Sequence, residues 1–282
     1  MQPAFDFDAA TVLNKGRRNY QEDAIISDFA KGTDMGVAVM SDGMGGHAAG
    51  DVASKIVVTE VFSELLFRRC HSEVFRADAQ SILTDAAKGA NACLRDHVRT
   101  YPDTHGMGAT LVATVFFDRH LHWISIGDSP LFLFRDGELT QLNEDHSMAP
   151  QIDFMAKSGL ISEEDASCHP DRNTLTSVLY GEDIPKIDCP AEPLEVRVGD
   201  ILIVASDGLQ FLSNTQIKST LLREQHQTSA GIADCLMGRV LALNEPDLDN
   251  VSFAVIKLRH SLSDLASSEA ALQNTYGIHC VG

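Results

Sequence analysis

The sequence predicts a layered α+β domain, with antiparallel sheet inside and helices outside. Three observations carry this. The predicted order is strands, two helices, many strands, helices, strand. The strand-like runs between residues 110 and 134 lie close together and end on Asp136-Gly137, a hairpin signal for antiparallel neighbours. The regular strand-helix alternation of a doubly wound sheet is missing.

Thr11 to Asn14 reads as a first strand, followed by a polar loop of both signs, Lys15 to Asp23. Ala24 to Phe29 alternates as a strand. After the turn residues Lys31 to Asp34 comes an apolar strand from Met35 that ends in Ser41-Asp42-Gly43. Val52, Ile56, Val57, Val61, Leu65 and Leu66 recur at helical spacing and predict a helix over 48–70. A second helix is expected over about 79–98, stopped by Tyr101-Pro102-Asp103. Strands follow at Thr110 to Phe117, His120 to Ile126 and Pro130 to Phe134. Gln151 to Ser158 and Ser162 to Ala166 are short helices, with Ser162 as a cap. Gly181 to Pro193 reads as loop. Ile201 to Ala205 is a buried strand, Asn214 to Leu222 and Ser229 to Leu243 are helices, and Val251 to Leu258 is the last strand. Residues 261–282 are read as a tail or short helix after one domain over 1–260.

With 44% hydrophobic and 22% charged residues among 282, the composition is that of a soluble globular protein. No apolar run approaches the ~20 residues that span a bilayer. The acidic start, Met1 to Asp8, lacks the basic and apolar parts of a signal peptide, so a cytoplasmic location is expected. A net charge of −18 repels phosphate backbones and speaks against nucleic acid as a partner. The six cysteines are scattered, with no C-x-x-C pair, and read as reduced thiols.

Acidic residues recur at predicted strand ends. Ser41-Asp42-Gly43 and Ser206-Asp207-Gly208 share one phrase, and Gly127-Asp128-Ser129 is a looser version. Glu22-Asp23 and Asp249-Asn250 stand just before strands. Each alone is an ordinary turn or solvated loop. Together they can meet, because in an antiparallel sheet the end of one strand lies beside the start of the next. Clustered carboxylates repel and raise one another's pKa, and a divalent cation resolves that conflict. All-oxygen ligands favour Mg²⁺, Mn²⁺ or Ca²⁺ over Zn²⁺. His120 and His122 share a strand face without an evident third ligand, and read as a packed or exposed pair.

Seven phrases in one order resemble the metal-dependent, or type 2C, protein phosphatases in their compact bacterial form. They are Gly16 to Asp23, Ser41 to Gly50, Gly106 to Thr110, Ile126 to Ser129, Leu139 to Leu142 with Asp145-His146-Ser147, Val204 to Gly208, and Asp249 to Ser252. The resemblance runs from about Thr11 to Leu258. It implies a four-layer αββα sandwich of two antiparallel sheets flanked by helices, with a flap at about 148–180. It also implies hydrolysis of phosphoserine or phosphothreonine on proteins by a metal-bridged water, with two or three Mn²⁺ or Mg²⁺ ions. Asp42 would bridge two metals with the Gly43 carbonyl beside it. Asp207 and Asp249 would complete the first site. Glu22 and Asp23 would orient waters near the second, and Asp128 with Asp207 would form a third. Arg18 would grip the substrate phosphate, favoured over Arg17 by its spacing to Glu22-Asp23. The implied partners are phosphoproteins and a cognate Ser/Thr kinase, with the chain itself a monomer. Alternatives are a silent phosphoprotein-binding module and a hydrolase of small phosphoesters. Met44 stands where some members carry a histidine, Gln21 where many have Asn, and Pro130 where Arg is common. His47 reads as structural.

Overall fold

The computed structural model describes residues 5–30, 33, 35–45, 49–69 and 72–260. Two antiparallel sheets stack face to face. The first has the order β1-β11-β10-β7-β8, formed by Asp6–Asn14, Val251–Arg259, Ile201–Ala205, Leu131–Arg135 and Glu138–Gln141. The second has the order β2-β3-β5-β6-β9, formed by Asp23–Asp28, Gly36–Met44, Leu111–Phe117, His120–Ile126 and Leu194–Glu195. The short β4, Gly108–Ala109, prolongs β5 along β3.

Alternation along the central strands builds three apolar layers. Val37 and Val39 of β3 face outward onto α1 (Ala49–Arg69) and α2 (Ser72–Thr100). Ala38 and Met40 face inward, between the sheets. On β11, Val251, Phe253 and Val255 pack under α5 (Asn214–Glu224) and α6 (Ser229–Ala242), while Ala254, Ile256 and Leu258 join the layer between the sheets. The architecture is therefore the expected αββα sandwich. Both faces of β3 are buried, so Gly36 to Met40 reads as a continuous apolar run with no polar side to give the period away. Phe7 of β1 packs edge-to-face on Phe116 of β5 at 5.2 Å between ring centroids, fastening one sheet to the other.

Local sequence signals explain the termini. Ser213 and Gln216 form a capping box at the start of α5, and the Thr228 side chain caps α6. Asp136 and Gly137 both have positive φ, 52° and 82°, as a tight β7–β8 hairpin requires. Ser162 caps α4 (Glu163–Ser167), which follows α3 (Ala149–Lys157).

Some boundaries differ from expectation. β1 begins at Asp6, because its first half pairs with β11 through Phe7↔Leu258 and Ala9↔Ile256. β3 does not stop at Asp42. It runs on to Met44, since Gly43 and Met44 pair with Ala109 and Gly108 of β4. α2 begins at Ser72, with non-helical backbone at Asp78 marking a kink. β8 and β9 are strands the sequence left as connection. His47, Cys70, Cys280 and the 261–282 tail lie outside the described residues. Cys93, Cys168, Cys189 and Cys235 are free thiols. Among the described residues no helix is long and apolar enough to cross a membrane.

Candidate metal centre

The acidic phrases meet at one end of the stacked sheets, where β3 of one sheet and β10 and β11 of the other begin or finish. β2 and β3 bring Asp23 directly opposite Asp42. The first sheet supplies Asp207, just after β10, and Asp249, just before β11. Ser206 binds the two sheets together here: its hydroxyl donates to Asp23 Oδ2 at 2.9 Å and accepts from the Ser252 amide at 3.0 Å.

Thr110 fixes Asp42 and Asp128 relative to each other. The Asp42 amide donates to Thr110 Oγ1 at 2.9 Å, and the Thr110 amide donates to the Asp42 carbonyl at 2.8 Å. Thr110 Oγ1 also pairs with Ser129 Oγ at 2.8 Å, beside Asp128. Asn250 gathers the Lys15–Glu22 loop: its Nδ2 donates to the carbonyls of Lys15 and Tyr20, and its Oδ1 accepts the Glu22 amide at 2.6 Å.

Two glycines are fixed by close approach. A Cβ at Gly43 would lie 2.0 Å from the Gly50 carbonyl oxygen. One at Gly208 would lie 1.9 Å from the Asn250 carbonyl oxygen, so no side chain fits where β10 ends against β11.

The result is a cleft of about 550 Å³, lined by Arg18, Glu22, Asp42, Gly43, Asp128, Asp207 and Asp249. Asp23 lies beneath its floor, 3% exposed. Arg18 Nη2 donates to Asp249 Oδ2 at 2.5 Å, so the predicted phosphate-binding arginine sits at the cleft beside a predicted ligand. Arg17 points elsewhere, to Asn244. The lining also includes the apolar side chains of Met44, Leu175 and Val178, next to Asn173 and Thr174.

The electrostatics are those of a cation site. Burial, then the repulsion of Asp207 and Asp249, pushes Asp23 up to about 7 against the bonds it accepts from Ser252 and Ser206. Burial and then Asp207 and Asp145 push Asp128 up to about 7. Burial and then Asp23 hold Asp42 well above the carboxylate range, and burial and then Asp249 raise Asp207. Glu22 is raised by burial and by Asp249. Asp23 Oδ1 and Asp207 Oδ1 are buried without a hydrogen-bond partner, a costly arrangement that a cation or its water would repair. Among the described residues no three His, Cys, Asp or Glu side chains close on one point as a ready-made cage. The carboxylates instead share one cleft, and Mg²⁺-like ions take one or two carboxylates each and complete their shell with water. The donor set thus fits hard divalent cations.

The family model for protein phosphatase 2C matches residues 15–235. The chain belongs to this family. A putative protein phosphatase 2C-type of Streptococcus pyogenes is 31% identical over 256 residues, covering 87% of this chain and 94% of that protein. The serine/threonine protein phosphatase PstP of Mycobacterium tuberculosis is 34% identical over 174 residues, 60% of this chain; the match spans only 31% of that protein's length. A crystal structure of a PstP catalytic domain in complex with two manganese ions aligns with TM-score 0.70 and 29% identity, over 90% of this chain and 99% of that one. This protein phosphatase 2C member therefore shares its sandwich with a protein that carries two metal ions.

Sequence reasoning passed over several residues of the site. Thr110, Ser206 and Asn250 stood inside quoted motifs with no role given to them. Their signal is a polar side chain at the end of an apolar strand, buried here in all three cases. Asn173, Thr174, Leu175 and Val178 line the cleft from the 148–180 segment, which the resemblance implies as a flap beside the site without naming these residues.

Proposed function

We propose that this chain hydrolyses phosphoserine and phosphothreonine on proteins, using Mn²⁺ or Mg²⁺. The observation that carries the reading is the convergence of Glu22, Asp42, Asp128, Asp207 and Asp249 on one cleft, over two buried carboxylate oxygens that lack partners.

Asp42, its pKa raised by burial and by the charges of Asp23, Asp207, Asp128 and Asp249 around it, would be the carboxylate shared between ions, with Gly43 beside it. Asp207 and Asp249 would hold one ion, Glu22 and Asp23 would orient water near another, and Asp128 with Asp207 would support a third. Bound divalent cations neutralise phosphoryl oxygens and lower the pKa of water. Arg18, half exposed at the cleft, offers a forked donor pair to a phosphate once it turns from Asp249. Thr110 Oγ1 is spent on Asp42 and Ser129 and does not serve as a nucleophile. The reaction then needs no covalent phosphoenzyme. The substrates are phosphoproteins made by a Ser/Thr kinase, whose action the chain opposes.

The test is phosphate release from a phosphothreonine peptide by the purified full chain with Mn²⁺. Turnover is expected with the chain as it stands. Asp42→Ala and Asp207→Ala are each expected to lose at least a hundredfold in kcat while keeping the native circular dichroism. Activity retained in either variant, or a folded parent that releases no phosphate from the peptide, overturns the reading. Turnover of small phosphoesters alone would assign the chain to that substrate class instead.

A further inference from the structure

The apolar side of the cleft has no part in the chemistry above, yet it is built with care. Met44 is 38% exposed and Tyr180 45% exposed, two large side chains left open beside a highly charged site. They flank Gly108. A Cβ at that glycine would come to 2.9 Å from the Leu179 carbonyl oxygen, 3.3 Å from Tyr180 Cβ and 3.4 Å from Met44 Sδ, so the missing side chain is what lets Tyr180 and Met44 close over this point side by side. Val178 and Leu175 continue the same wall into the cleft.

The backbone under Tyr180 is locked. Leu179 exchanges two hydrogen bonds with Ala109, at 2.8 and 3.0 Å. Asn91 Oδ1 accepts the amides of both Tyr180 and Gly181, at 3.0 and 2.7 Å, and its Nδ2 donates to the Glu182 carbonyl at 2.6 Å. Asn91 itself is only 7% exposed. A rigid backbone that presents an exposed aromatic at the edge of a site is the arrangement of a recognition residue, because little side-chain entropy is lost on binding.

The position sets what it reads. Met44 lies two residues beyond Asp42 on one strand and on the same face, about 7 Å away. That distance is about two residues of extended chain. We propose that Met44, Val178 and Tyr180 form a specificity subsite that takes an apolar side chain one or two residues from the phosphorylated one. This rests on the reading of the chain as a protein phosphatase. The occupant is substrate peptide because the shelf is continuous with the cleft that would hold its phosphate.

The test is a series of phosphothreonine peptides carrying Leu, Gly, Glu or Lys at each of the two flanking positions on either side, with Mn²⁺. The readout is kcat/KM relative to the Gly peptide within each enzyme, a ratio that cancels differences in the folded fraction. In the parent chain, Leu at one of these positions is expected to give about a tenfold advantage. In Tyr180→Ala, and independently in Met44→Ala, that ratio is expected to fall below threefold. Neither change removes the backbone bonds of Leu179, Tyr180 or Gly181. Equal turnover of all peptides, a preference for Lys, or an unchanged Leu advantage in both variants overturns the subsite and leaves the phosphatase reading standing. A folded enzyme that turns over no phosphopeptide overturns both.

Discussion

Replacing Asp23 by asparagine removes one charge from the buried carboxylate cluster and leaves its shape. The asparagine oxygen still accepts from Ser206, as Asp23 Oδ2 does at 2.9 Å. Its amide replaces Asp23 Oδ1, an oxygen now buried without a donor, and finds carboxylates opposite. In metal-free protein the folded state binds a proton at Asp23 more tightly than the unfolded chain does, since burial and neighbouring charge raise the pKa from 3.8 to about 7. Its contribution is therefore fully present below about pH 4 and is lost as pH rises toward 7. At ~1.4 kcal/mol per pH unit, the rise to about 7 corresponds to ~4 kcal/mol of destabilisation at pH 8. Proton uptake by neighbouring carboxylates makes this an upper bound. Asp23→Asn in chelator should thus melt up to roughly 10 °C higher than the parent at pH 8, and within a degree or two of it near pH 4. With saturating Mn²⁺ the order should reverse or close, because the parent gains more from the ion. Differential scanning calorimetry at both pH values, with and without metal, reads all four numbers. A variant that melts at or below the parent at pH 8 in chelator would refute the idea that repulsion is stored at Asp23.

Asn250→Ala frees the carbonyls of Lys15 and Tyr20 and the amide of Glu22; it should cost ~2–4 kcal/mol in urea unfolding and lower kcat/KM by disordering the arginine loop. Gly208→Ala puts a methyl group 1.9 Å from a backbone oxygen and should destabilise by more than ~3 kcal/mol, whereas Gly89→Ala, with nothing within 4 Å, should stabilise α2 slightly. Arg18→Lys keeps the charge but loses the fork; a rise in KM for phosphopeptide of about tenfold is expected, with metal-induced melting shifts unchanged.

The central strands were legible because Ile201 to Ala205 is a short unbroken apolar run and Val251 to Leu258, a partial alternation, is β-branched and apolar apart from Ser252 and Lys257. The ends were less so. β3 looked finished at Asp42, because Gly-Met-Gly-Gly carries turn chemistry; pairing with Gly108–Ala109 keeps it extended, and that partner is more than sixty residues away. β8 and β9 are short and exposed, and sequence gives such strands no periodicity to read. The carboxylates themselves were found from sequence, since charge at a strand end is conspicuous. Thr110, Ser206 and Asn250, which hold them in place, were not given their part: a buried hydroxyl or amide looks like any polar residue until its partners are known. The resemblance placed a flap over 148–180, but that Leu175 and Val178 in particular line the cleft follows only from the tertiary fold.

Asp42 belongs to one sheet and Asp207 to the other, with 164 intervening positions of chain between them. An ion held by both would act as a clasp across the sandwich, closing a long loop much as a covalent bridge does. The outer helices could breathe without disturbing it, but the sheets could not part without releasing the ion. Amide exchange at the Asp42 end of β3 and the Asn250 end of β11 would then slow together when metal is added, and the far ends of the same strands would respond less.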